Sequence, residues 1–122
     1  MPSEYEALVA ALKLTSIPFM EYGWNTRPEG TYGVVGLDFE GDSLDADNQK
    51  ADRTWEGSVD VFYRLLSDRD DVVATVEEIL TEILENSWTM NSVQYEQGTG
   101  LFHIEWTFEV SDTPEGDDPD AV

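Results

Sequence analysis

Residues 101–110 read LFHIEWTFEV. Phe102, Ile104, Trp106, Phe108 and Val110 fall on one side of an extended chain, and His103, Glu105, Thr107 and Glu109 on the other. A period of two is the mark of a strand with one face in a core and one in water. Just upstream, Trp88 to Tyr95 has strand composition with a slip of phase near Ser92, which predicts a bulge, and Gln97-Gly98-Thr99-Gly100 is turn chemistry. The two runs therefore predict an antiparallel hairpin.

Working outward, Thr54 to Leu66 places Trp55, Gly57, Val59, Val61, Tyr63 and Leu65 on one face and Ser58, Asp60 and Arg64 on the other, with Phe62 an apolar exception on the polar side. Thr31 to Glu40 alternates Val35, Leu37 and Phe39 with Gly36, Asp38 and Glu40, a second half-buried strand. The thirteen residues from Gly41 to Arg53 between these strands are polar and acidic, longer than the usual hairpin connection, and so predict either a loose tip or a working arm.

Two helices complete the pattern. Over Ser3–Leu14, Tyr5, Leu8, Val9 and Leu12 recur at helical spacing, and Ser3 with Glu6 has the form of a capping box. Over Arg69–Glu85, Val72, Val73, Val76, Ile79, Leu80, Ile83 and Leu84 form a broad stripe, with Ser67-Asp68 as the cap and acids at the positive end of the dipole. Ile17–Tyr22, opened by Pro18, predicts a short strand at an edge or a strand start, and Trp24–Gly30 a loop. One apolar stripe per helix covers one face of a sheet. The expected fold is α+β: two helices packed on one face of a four- to five-stranded, mainly antiparallel sheet with a long β-hairpin loop. A single domain is expected over 1–110. Residues 111–122, SDTPEGDDPDAV, carry acids, Pro and Gly and no aromatic residue, and predict a disordered acidic tail.

The 122 residues hold 27 acids against six Lys and Arg, a formal charge of −21, while 40% of residues remain apolar. Affinity for a phosphate backbone comes from clustered cations, so ordinary nucleic-acid binding is excluded. The absence of cysteine removes thiolate chemistry and Cys-based metal sites. No run approaches the ~20 apolar residues of a membrane span, and Met1–Glu4 does not open a signal segment; a soluble protein made in the cytoplasm is expected. Acidic, Lys-poor surfaces repel themselves in dilute salt, but at ~1 M salt the Debye length is about 3 Å. The composition therefore reads as a salt-adapted surface, with an acidic DNA mimic and an ordinary acidic protein as the alternatives.

For chemistry, His103 reads as a solvated strand histidine whose replacement by Ala changes nothing measurable. Asp45, Asp47 and Gln49 have the first spacings of an EF-hand loop and Glu56 the twelfth, but Lys50 stands where such a loop needs Gly, and no helices flank it. The expectation is no catalytic residue, no cofactor and no metal ligand. Apolar residues on an uncovered sheet face or in loops instead suggest a partner surface, with Trp24, Trp55, Phe62, Asp42, Asp45 and Asp47 as candidates and self-association as the natural use.

The opening helix YEALVAALKLT, the Pro-Phe segment IPFMEYGW, the strand leading into an acidic DADNQ loop, WEGSVDVFYRLLSDRDD running into the second helix, and the closing HIEWTFEV together resemble the tail terminator (tail-completion, minor tail protein U-like) family of long-tailed viruses. The likeness covers roughly Ser3 to Val110 and rests on element order and local phrases. It implies a virion protein, made in the host cytoplasm, that forms a homo-hexameric ring on the head-proximal end of the tail tube. Such a ring ends tube polymerisation and joins the tail to the head or neck. Its partners would be further copies of itself, the tail tube protein and a head-completion or connector protein, with DNA passing through the lumen ungripped, and with no membrane. Taken with the composition, this implies a virus of a salt-loving host. The alternatives kept beside it are another neck or connector component and an acidic DNA-mimic inhibitor of a nucleic-acid-binding host protein.

Overall fold

A computed structural model describes residues 2–40 and 53–112. The elements are α1 (Ser3–Lys13), β1 (Phe19–Glu21), β2 (Tyr32–Glu40), β3 (Arg53–Tyr63), α2 (Arg69–Leu84), β4 (Trp88–Glu96) and β5 (Leu101–Asp112). The strands form one five-stranded sheet in the order β1-β2-β3-β5-β4. β1 runs parallel to β2 and every other neighbouring pair is antiparallel. This is the expected α+β architecture.

Both helices lie on one face. Tyr5, Leu8, Val9 and Leu12 of α1 and Val72, Val76, Leu80 and Leu84 of α2 are buried against Val35, Leu37, Val59, Val61, Tyr63, Ile104, Trp106, Phe108 and Val110. The alternation of residues 101–110 thus reports the true inner face of β5. Two polar pins hold the helices to the sheet: the Tyr5 hydroxyl donates to Glu21 Oε2 at 2.7 Å, and the Trp106 indole N–H donates to Glu77 Oε2 at 2.8 Å. Burial, and then the bond to Glu21, push the Tyr5 phenol far up. Gly57 is required by close approach, because a Cβ there would collide with the Gly36 carbonyl and the Phe108 ring.

The slip near Ser92 is a bulge: Met90 pairs with Trp106 and Ser92 with Glu105, leaving Asn91 extra, with its amide donating to Glu105 Oε1 at 2.7 Å. A second bulge, at Asp38, falls in β2, where the even alternation gave no sign of it.

Four expectations are corrected. The capping box does not form: Pro2 is the N-cap of α1, and Glu6 N–H bonds to the Pro2 carbonyl. Ser67-Asp68 supplies no side-chain cap either; a 3-10 turn over Leu66–Asp68 leads into α2, so backbone bonds replace the side-chain ones. Leu65 is outside β3 and 61% exposed, since the chain must leave the sheet after Tyr63 to reach that turn. Finally, Ser111 and Asp112, expected in the tail, belong to β5, because Thr54 and Arg53 are there to pair with them. Residues 113–122 lie outside the described residues, as does the long loop up to Asp52.

Candidate functional site

The face of the sheet away from the helices carries an aromatic row at right angles to the strands. Register builds it, since Tyr32 of β2 lies opposite Phe62 of β3, which lies opposite His103 of β5. The Tyr32 and Phe62 rings stack at 4.9 Å between centroids, and Phe62 and His103 at 4.1 Å. Trp24 closes the row, meeting the Tyr32 ring edge-on while its indole N–H donates to the Gly33 carbonyl at 3.0 Å. The segment after β1 therefore folds back over this face, which explains why Phe62 breaks the polar phase of its strand. Tyr32 is only 3% exposed, and nothing in the local pattern marks it as a core residue.

His103 is the polar end of the row, and its environment corrects the expectation of a solvated side chain. Its Nε2 lies 2.7 Å from Asp60 Oδ2 and its Nδ1 3.4 Å from Glu96 Oε2, and the side chain is 19% exposed. The hydrogen bond that its ring donates to Asp60 raises its pKa above the ordinary histidine value; burial pulls the other way, and the charges of Asp60, Glu96 and Glu105 add to the rise. Beside it, burial and then the charges of Asp60 and Glu105 push the Asp38 carboxyl up. Register sets Asp60 directly opposite Glu105 and Glu56 opposite Glu109, like charges on adjacent strands. His103 is thus clamped among carboxylates that favour its protonated form. Among the described residues no group of three or more His, Asp or Glu side chains is arranged to hold a metal ion.

The sheet ends in two edges. β1 has exposed Met20, followed by exposed Tyr22, whose ring lies over Gly36. β4 exposes Met90, Val93 and Tyr95. Met90 and Val93 line an open groove with Val73 and Ala74 of α2. From Trp88 to Tyr95 the strand reads WTMNSVQY, with no charged residue, in a chain where charged residues make up 27%.

Of the partner-surface candidates, the structure brings Trp24 and Phe62 into one row. It places Trp55 on the opposite face, packed against the core beneath the helices. Asp42, Asp45 and Asp47 lie outside the described residues. The β4 edge was not among the candidates, although its lack of charge was legible in the sequence. No helix among the described residues is long and apolar enough to cross a membrane. The sequence matches no protein-family model and no curated protein.

Proposed function

We propose that this protein is a structural subunit that closes into a ring, a tail terminator at the head-proximal end of a viral tail tube. There it ends polymerisation of the tube and joins tail to head. The observation that carries the reading is the uncharged β4 edge at one end of the sheet, with the unlike β1 edge at the other. Exposed edge strands template pairing with other chains, and natural monomers blunt them with charge or proline. β4 instead presents Met90, Val93 and Tyr95. Two unlike edges at opposite ends of one sheet are what a head-to-tail ring needs, because a heterologous contact repeats around an axis until it closes.

The test is the mass in solution by light scattering after size exclusion in about 2 M KCl, where charge repulsion between subunits is screened, with and without tail tubes. The ring reading expects a species six times the 13.7 kDa of one chain, or capped tubes, and expects Val93→Glu to abolish both. A second reading, the acidic DNA mimic, is favoured by the opposed carboxylates Asp60/Glu105 and Glu56/Glu109 on a rigid face. A tight complex with a nucleic-acid enzyme, together with indifference to tail tubes, selects the mimic and ends the ring reading.

A further inference from the structure

The charge of this chain is unevenly placed along its strands. At one end of the sheet lie Glu40, Arg53 and Asp112, where the acidic stretches 41–52 and 113–122 join the described residues. At the other end, beyond Tyr32, Tyr63 and Leu101, is a cleft lined by Arg27, Pro28, Glu29, Tyr32, Arg64 and Leu101. Two of the chain's four arginines meet there. Arg64 Nε donates to the Glu29 carbonyl at 2.9 Å, which fixes that guanidinium at the rim. Among the described residues neither Arg27 nor Arg64 makes an ion pair, in a chain with 27 carboxylates. Beneath the arginines Tyr32 and Leu101 are each only 3% exposed.

We infer that this cleft receives the acidic C-terminal segment 113–122 of a second copy of the chain. Charge complementarity selects the occupant. Glu115, Asp117, Asp118 and Asp120 fall within six residues that contain no cation, whereas the 41–52 loop carries Lys50 and adjoins Arg53. Geometry selects the second copy. From Asp112 back to Leu101 is eleven residue steps of β5, about 36 Å at strand rise. Asp120 is eight residues past Asp112, at most about 29 Å fully extended. Even fully extended, the chain's own Asp120 falls short of its own cleft, whereas the segment of a second copy stacked along the strand direction can enter it. Salt adaptation suits such a contact: at ~1 M salt the repulsion between copies is screened, but paired guanidinium and carboxylate groups in direct contact sit within the ~3 Å Debye length.

This contact rests on the self-assembling subunit proposed above and names a joint along the strands, distinct from the edge-to-edge joint of the ring. The test uses the full-length chain in about 1 M KCl, with self-association followed by sedimentation or light scattering. One variant reverses the cleft (Arg27→Glu with Arg64→Glu) and another the segment (Glu115→Lys, Asp117→Lys, Asp118→Lys and Asp120→Lys). Arg27→Glu alone serves as a milder cleft variant that leaves the Arg64 bond intact. Each reversed variant alone is expected to associate about tenfold more weakly than the parent. An equal mixture of the cleft and segment variants restores parental association, because each cleft then meets a segment of opposite sign; that rescue also shows that both variants fold. If the parent forms its ring and the reversals leave it intact, the cleft inference is wrong and the ring reading stands. If the cleft reversal weakens assembly and the segment reversal does not, the segment is the wrong occupant. A parent that keeps the mass of one chain at every concentration, with and without tail tubes, removes both.

Discussion

His103 shows how much one side chain can carry on a face crowded with acids. Asp60 on β3, Glu96 on β4 and Glu105 on β5 all bear on it, and Phe62 stacks on its ring. A histidine whose folded pKa is raised stabilises the fold fully below its ordinary value of 6.5, and that contribution is lost as pH rises through the higher folded value. Denaturant midpoints are therefore expected to fall between about pH 6 and pH 9. His103→Gln should flatten that slope and lower stability at pH 6 by about 1–2 kcal/mol. Asp38, also raised, contributes a decline of the same sign starting from the carboxylate range, which the comparison of the two proteins subtracts. A variant with an unchanged slope would show that the clamp does not hold a charge. The outward position of His103 was legible from its alternation with Glu105. Its partner was not, because Asp60 is 43 residues away and faces it only once the β3–β5 register is set.

At the level of elements, α2 is held by its stripe and by one buried polar contact. Trp106 is fully buried, so its N–H depends on Glu77. Glu77→Ala orphans that donor and is expected to cost about 1–3 kcal/mol by urea unfolding, and much less in a Trp106→Phe background. Equal costs in the two backgrounds would deny the bond any role. The helices and the four long strands were legible because each shows its period within a dozen residues. The caps were misread because Ser3 and Ser67-Asp68 have the right chemistry, while the backbone of Pro2 and the 3-10 turn take over the bonds. The parallel placement of β1 was not legible, since three residues carry no period. The aromatic row escaped for the same reason as the partner of His103: it exists across strands and not along them.

For the whole molecule, the formal charge of −21 means that salt acts on the fold directly. Going from about 0.1 M to 2 M KCl is expected to raise Tm by about 5 °C or more, equivalent to roughly 1 kcal/mol of relieved repulsion. A Tm that stays flat or falls would contradict a salt-adapted surface. The strand order also has a temporal side. β5, made after every other described element, lies between β3 and β4, so β4 has no other route into the sheet. Before residues 101–112 are made, the helices have only β1, β2 and β3 to pack against, and β4 has no partner strand. Those uncharged β4 residues stay unpaired until β5 takes its place beside them. A messenger cut short before that point yields nothing that can shelter its own oily face, and a chaperone or a protease becomes its next partner.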